Sequence, residues 1–274
     1  MLLKSFQEVE ASGQVVAISH GNSTAVRVLL KSDGLGFSLS EARCGANRSS
    51  NLWYKNHWEA NYVRAGKGVI TDRTSGESWQ ASPGMLYCVG PNDKHTVANS
   101  SDPLRIISIF NPPIEGPETH DQDGAYPPTG DIPTGQERMF VRTTEGVRQS
   151  GGEKVLMDGS VTASRLLTAH DGLGFSLSEV NIKAGKQQDL WYKNHWEANL
   201  ILEGELQLTE KNTGIVHKLS NGDVYCVGPN DPHSLFSSTD IKLLAIFNPP
   251  LSGDEKHDAD GAYPPTGPIP IGPK

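Results

Sequence analysis

The nine residues WYKNHWEAN run from Trp53 to Asn61 and run again, unchanged, from Trp191 to Asn199. Residue 53 and residue 191 stand at an offset of 138. The same offset carries DGLGFSLSE at Asp33–Glu41 onto an identical DGLGFSLSE at Asp171–Glu179, and YCVGPND at Tyr87–Asp93 onto Tyr225–Asp231. One residue is lost after His95/His233. An offset of 137 then aligns IFNPP at Ile109–Pro113 with Ile246–Pro250 and DGAYPPTG at Asp123–Gly130 with Asp260–Gly267. Self-similarity at a fixed period sets the architecture before anything else is read. The chain is a tandem duplication, with Met1 falling on Met139 and domains expected at 1–138 and 139–274.

Each repeat carries the pattern of strands. LGFSLSEA (Leu35–Ala42) and SLSEVNI (Ser176–Ile182) alternate apolar and polar residues with a period of two. ANLILEGELQLTE (Ala198–Glu210) is strand, Gly turn, strand, and HKLSNGDVYCV (His217–Val227) repeats that form around Asn-Gly. Short strands punctuated by Gly and Pro predict an all-β fold of two small barrels, each able to hold one ligand in its mouth.

Composition narrows the partners. The 274 residues include 29 Gly and 18 Pro, with 36% apolar residues, which fits turn-rich globular domains. A formal charge of -8 and a pI near 5.6 argue against nucleic acid or an anionic membrane as partner, since both need a basic surface. The start MLLKSFQEVEASG lacks a basic region followed by an apolar one, so no signal peptide is expected. No apolar stretch reaches membrane-spanning length, and three cysteines make no disulfide framework. A cytoplasmic location is expected.

Polar residues that persist in both copies mark the candidate site. Six of the 9 His pair between repeats: His57/His195, His95/His233 and His120/His257. Tyrosines pair as Tyr54/Tyr192, Tyr87/Tyr225 and Tyr126/Tyr263. Elsewhere the copies have diverged freely, as in Lys67–Gln80 against Glu205–Lys218. On a strand, residues two apart share a face, so His57 and Glu59, and His195 and Glu197, are expected to point the same way. Tyr87 and Tyr225 follow a turn glycine by three residues, and His95 and His233 follow each Tyr by eight.

This layout of His-x-Glu, Gly-x-x-Tyr and a later His resembles the two motifs of the cupin superfamily, with Glu and Tyr in slots most cupins give to His. Over nearly the whole of each repeat it resembles the ectoine synthase family. The motifs that carry this are LLKSDGLGFS at Leu29–Ser38, YKNHWEA at Tyr54–Ala60, PGMLY at Pro83–Tyr87, and the FNPP…HD…GAYP segment at Phe110–Pro127. Repeat two carries the same set, with Asn221-Gly222 in place of Pro-Gly.

The resemblance implies two jelly-roll-like cupin domains in tandem. It implies a divalent metal held by Glu59, Tyr87 and His95, and a second by Glu197, Tyr225 and His233. Fe(II) is the foremost candidate, with zinc or another first-row metal open, and such N/O donors suit these ions. It gives Tyr54, His57, Tyr192 and His195 catalytic roles and assigns Arg27 and Arg165 to a substrate carboxylate. Glu118, His120, Glu255 and His257 fall in a segment covering the barrel mouth, where a substrate contact and a plain latching salt bridge are both open.

The implied reaction is a cyclo-condensation with loss of water. It closes N-γ-acetyl-L-2,4-diaminobutyrate, or a close acylated diamino acid, to a cyclic amidine at two sites per chain. Family members pair head to tail, so a fused chain is expected to be a monomeric pseudo-dimer, with higher oligomers open. The copies depart from the family pattern at Ser23/Val161, Ala42/Val180 and Ser108/Ala245. Those departures keep two other classes in view: a metal-dependent bicupin performing elimination, hydrolysis or oxygenation on another substrate, and a non-catalytic metal- or solute-binding bicupin.

Overall fold

A computed structural model describes residues 1–21 and 23–273. Two compact units make up the chain: Glu8–Glu145, and Met1–Gln7 together with Gly146–Lys274. Each is built from antiparallel strands, as the alternating patterns predict. Among the described residues, helix is confined to single short α-helices in each linker region, Phe6–Ala11 and Thr144–Gln149, and a few one-turn 3-10 segments.

In the Glu8–Glu145 unit, one seven-stranded sheet runs in the spatial order Phe140–Thr143, Met85–Val89, Trp58–Ala65, Leu104–Asn111, Ser38–Cys44, Ser23–Leu29 and Val15–Ile18. A four-stranded sheet follows the order Ser49–Trp53, Lys94–Ala98, Gly68–Asp72 and Ser78–Ala81. The second unit repeats this plan. Its large sheet is Leu2–Ser5, Asp223–Val227, Trp196–Glu203, Ile241–Asn248, Ser176–Ile182, Val161–Leu167 and Glu153–Leu156. Its small sheet is Gln187–Leu190, His233–Phe236, Glu205–Glu210 and Val216–Ser220. The core of each unit, with Val63, Ile70 and Leu104 in one and Ile201, Leu208 and Ile241 in the other, is continuous with Tyr87 and Tyr225 of the candidate sites.

The sequence repeats and the compact units part at different places. The first strand of each repeat lies in the sheet of the other: Leu2–Ser5 pairs with Asp223–Val227, and Phe140–Thr143 pairs with Met85–Val89. Leu3 stands opposite Tyr225 and Val141 opposite Tyr87. An edge strand leaves a row of unpaired backbone groups, and these four-residue strands cover that edge on the tyrosine-bearing strands. The added strands are anchored by aspartates. Met139 N–H donates to Asp93 Oδ1 (2.8 Å), and the Met1 amino group to Asp231 Oδ1 (2.7 Å).

The repeated nonapeptide is only partly a strand. The strand starts at Trp58, and Tyr54–His57 form the turn before it. The expectation that His57 and Glu59 share a strand face gives way on this point. The reason is visible in the partners of the string. Trp53 Nε1 donates to Pro91 O (2.6 Å), Asn56 Nδ2 to Tyr126 O (2.7 Å) and Trp58 Nε1 to Pro133 O (3.1 Å). Lys55 reaches Asp123 (2.5 Å), and His57 Nε2 lies 3.1 Å from Thr129 Oγ1. Residues 55–58 therefore clasp the segment around residues 120–133 while Trp53 holds the turn at Pro91, and the second copy repeats these bonds through Pro229, Tyr263, Thr266 and Pro270. Close packing explains two glycines here. A Cβ at Gly135 (φ +60) would stand 1.9 Å from the Trp58 ring, and one at Gly90 would stand 2.7 Å from it.

Candidate metal and substrate sites

The register of the large sheet sets a row of residues across five strands. Tyr87 is opposite Asn61, Asn61 opposite Ser108, Ser108 opposite Ser40, and Ser40 opposite Arg27. In the second unit the row is Tyr225, Asn199, Ala245, Ser178 and Arg165. A register shift directly after Arg27, and another after Arg165, marks a bulge at the end of each row. Bulges of this kind re-aim a side chain beside a site. Glu59 lies two residues from Asn61 on the same strand face. His95 is brought in by the small sheet, with its ring centroid 6.2 Å from that of Tyr87 and 6.1 Å from that of Tyr54.

Charge and hydrogen bonding prepare these residues to act as donors. Burial pushes Glu59 up to about 7 and Glu197 up to about 8. The polar groups of Asn61 and Ser108 beside Glu59 oppose that rise, whereas Glu197 has Asn199 and, in place of the serine, Ala245. Burial also raises Tyr87 and Tyr225 well above the usual tyrosine value and pulls His95 down to about 4. His95 Nδ1 lies 3.3 Å from Asp93 O, and His233 Nδ1 lies 2.9 Å from Asp231 O. A carbonyl only accepts, so each Nδ1 carries the proton and each Nε2 presents a lone pair. Both Nε2 atoms are buried with no hydrogen-bond partner among the described residues. A buried polar atom left unpaired is costly, and a cation beside the Glu and Tyr oxygens would satisfy it. The donor set fits a divalent first-row ion. Among the described residues no three His, Cys, Asp or Glu side chains cluster, so an ion here needs the phenol as its third donor.

The Glu and Tyr of each donor set line a small cavity, about 40 Å³ in the Glu8–Glu145 unit and about 50 Å³ in the other, and His95 and His233 stand outside these linings. Tyr54, Glu59, Asn61, Tyr87 and His120 line the first, and Tyr192, Glu197, Asn199, Tyr225 and His257 line the second. Tyr54 Oη is 2.9 Å from His120 Nε2, and Tyr192 Oη is 3.3 Å from His257 Nε2. The Ser19 N–H donates to His120 Nδ1 (3.0 Å), so the Nε2 proton points at Tyr54 Oη. Burial, with Glu59 adding to it, raises Tyr54 well above its usual value and keeps it a neutral hydroxyl.

The remaining residues singled out from the sequence sit in other places. His57 and His195 are outside the cavity linings among the described residues, and each turns Nε2 to a threonine of the covering segment. Burial holds both near 4, hence neutral at pH 7. Glu118 folds back to accept the Glu115 and Gly116 N–H groups, and Glu255 does the same with Ser252 and Gly253. They act as loop latches. Arg27 joins that latch, donating to the Gly116 and Glu118 carbonyls and lying 3.5 Å from the Glu118 carboxylate. Arg165 instead lines its cavity, with Nη1 3.2 Å from Ser178 Oγ and Nη2 3.1 Å from Tyr263 Oη. Asn61/Asn199 and Tyr126/Tyr263 have no assigned role in the family resemblance. Their persistence in both copies was the available signal, since Tyr126 packs on His120 with ring centroids 4.5 Å apart. All six positions that depart from the family pattern, Ser23, Ala42, Ser108, Val161, Val180 and Ala245, line the cavities.

Comparison with known proteins agrees with this geometry. The chain is 39% identical over 126 residues to an L-ectoine synthase from Desulfosudis oleivorans, spanning 46% of this chain and 96% of that protein. An L-ectoine synthase from Desulfatibacillum aliphaticivorans is 40% identical over 127 residues, 46% of this chain and 97% of the relative. In fold the chain is similar to an oxalate decarboxylase from Lactobacillus farciminis (TM-score 0.63, 12% identity, 92% of this chain and 87% of that one). It is also similar to a cupin 2 conserved barrel domain protein from Leptotrichia buccalis (TM-score 0.52, 12% identity, 82% and 88%). At such identities these structures speak for the cupin fold alone. The family profile described as ectoine synthase matches residues 1–130 and again residues 139–267. Matched once in each repeat and over nearly its full length, the chain belongs to the ectoine synthase family as two cupin domains in tandem.

Proposed function

We propose that the chain is a cyclo-condensing lyase with two sites, each closing N-γ-acetyl-L-2,4-diaminobutyrate or a close acylated diamino acid to a cyclic amidine. The observation that carries this reading is that each unit of a family member has a cavity lined by Glu, Tyr and a hydrogen-bonded Tyr–His pair, with a buried His whose Nε2 is unpaired and whose ring neighbours the lining tyrosine. Glu59, Tyr87 and His95, and Glu197, Tyr225 and His233, would hold the metal. When bound, an Fe(II)-like ion supplies a Lewis acid for the acyl carbonyl oxygen.

The protein's own residues supply the rest. Closing the ring forms one C–N bond from the α-amine to the acyl carbon. The carbonyl oxygen leaves as water with two nitrogen-bound protons, and a C=N bond remains. Tyr54, kept neutral and receiving the His120 Nε2 proton at its oxygen, has its own O–H to give to the departing oxygen. Arg165, in the wall of its cavity, is placed to take a carboxylate through its guanidinium. Holding a flexible diamino acid folded over its own acyl group converts chain entropy into proximity.

The test is proton NMR of anaerobic, Fe(II)-loaded protein with N-γ-acetyl-L-2,4-diaminobutyrate. Ectoine signals that disappear in a Glu59→Ala/Glu197→Ala double variant are the expected result. No turnover from protein holding close to two metals per chain would sink the assignment.

A further inference from the structure

The two cavities share most of their machinery, with Arg165 lining the second alone, and differ in hydroxyl content over part of their walls. Tyr, Glu, Asn, Tyr and His recur in both linings, as described above. Four wall positions lose a hydroxyl or thiol to an apolar side chain from the first cavity to the second, and none gains one. Ser19, Ser23, Cys44 and Ser108 of the first cavity correspond to Met157, Val161, Ile182 and Ala245 of the second. Ser50 corresponds to Gln188, so that position is polar in both and does not discriminate. Neutral drift on a passive wall would scatter hydroxyls between the two copies.

We propose that the two sites are tuned to different substrates. The Glu8–Glu145 site takes an acylated diamino acid whose acyl tail bears a hydroxyl, and the second site takes one whose tail is aliphatic. This deepens the reading of the chain as a cyclising lyase and rests on it. Ring closure requires the α-amine to reach the acyl carbon, so the diamino acid folds over the carbonyl, with Arg165 at hand for its carboxylate in the second site. The acyl tail is then the part left to meet the wall. Ser19, Ser23 and Ser108 are each nine-tenths buried or more, and buried hydroxyls are costly beside a group that cannot hydrogen-bond. Ser108 already donates to Asn61 Oδ1 (2.6 Å), which leaves its lone pairs for a substrate hydroxyl. An aliphatic wall favours a methyl over an isosteric hydroxyl by up to roughly a hundredfold.

Two isosteric probes separate the sites: N-γ-glycolyl- and N-γ-propionyl-L-2,4-diaminobutyrate, which end in CH2OH and CH2CH3. His233→Ala leaves the first site and His95→Ala the second. The glycolyl-to-propionyl ratio of kcat/KM is expected to be at least about tenfold higher in His233→Ala than in His95→Ala. Exchanging Ser23→Val/Ser108→Ala in the former should bring the ratios together. Should a histidine variant fail to fold, calorimetric titration of the intact Fe(II)-loaded chain gives the same answer, with each probe filling one strong site without displacing the other. Turnover with equal ratios, or full competition between the probes, overturns the proposal while the lyase reading stands. Non-competing binding without turnover of either probe or of the acetyl compound overturns the lyase reading and keeps the division of sites. Neither binding nor turnover overturns both.

Discussion

The hydroxyl of Tyr54 lies 2.9 Å from Nε2 of His120, whose Nδ1 accepts the Ser19 N–H. This chain of donors fixes the imidazole tautomer and makes the tyrosine a donor toward the cavity. Tyr54→Phe, made in a His233→Ala background so that one site reports, should lower kcat about a hundredfold and leave KM within about threefold. Steady-state kinetics by NMR or coupled assay measures both. A loss confined to KM would show that Tyr54 binds substrate and moves no proton.

Metal content tests the donor set apart from activity. After anaerobic loading with Fe(II) and desalting, the unaltered chain should hold about two ions, and His95→Ala or His233→Ala about one each, read by inductively coupled plasma mass spectrometry. An ion that binds only the folded state also stabilises it, so chelation should lower the melting temperature of the unaltered chain more than that of either variant. Two ions retained in both variants would remove His95 and His233 from the ligand set.

The clasp between the nonapeptide and the covering segment makes a separate claim about Gly135. A methyl there would overlap the Trp58 ring, whereas one at Gly13, also at positive φ (+77), would meet nothing within 4 Å. Both substitutions incur backbone strain, so the excess cost of Gly135→Ala isolates the clash. We expect that excess at about 2 kcal/mol, with faster hydrogen exchange across residues 120–133. Equal costs at the two glycines would mean that the ring shifts freely and the clasp is loose.

Much of this was legible in the sequence because duplication printed it twice. Tyr87, Glu59 and His95 recur at one spacing, their reading as metal donors comes from the family resemblance, and the positions that break the family pattern fall on the cavity walls. Other features were beyond its reach for physical reasons. A period of two does not say where a strand begins, so His57 was placed beside Glu59 when it belongs to the preceding turn. Identical repeats look the same whichever sheet their first strands join, which hid the pairing of Phe140–Thr143 with Met85–Val89. The Glu118 carboxylate carries no local mark showing that it turns onto the backbone at Gly116.

The same motif also stands in two electrostatic settings, and this yields a pH dependence. Glu41 ends DGLGFSLSE in the first copy, fully buried, with carboxylate oxygens 2.7 Å from Arg43 Nε, 2.8 Å from Arg64 Nη1 and 2.7 Å from Arg105 Nη2. Burial alone would raise its pKa. Hydrogen bonds from Arg105 and Arg43, with the charge of Arg64, outweigh burial and hold it below the ordinary value of 4.5. A carboxylate with a depressed folded pKa contributes stability that is fully present above the unfolded pKa. That contribution is lost as pH falls through the lower folded value. Glu41→Gln strips a buried charge from three arginines and should cost about 3 kcal/mol at pH 7. In urea unfolding series, the gap between unaltered chain and variant should hold from pH 7 to about 5 and shrink below 4.5. At Glu179, in the second copy, the three arginine positions are occupied by Asn181, Leu202 and Lys242. Glu179→Gln should accordingly cost less at pH 7. A Glu41 gap that stays constant or widens on acidification would show that the arginines do not hold this carboxylate ionised in the folded chain.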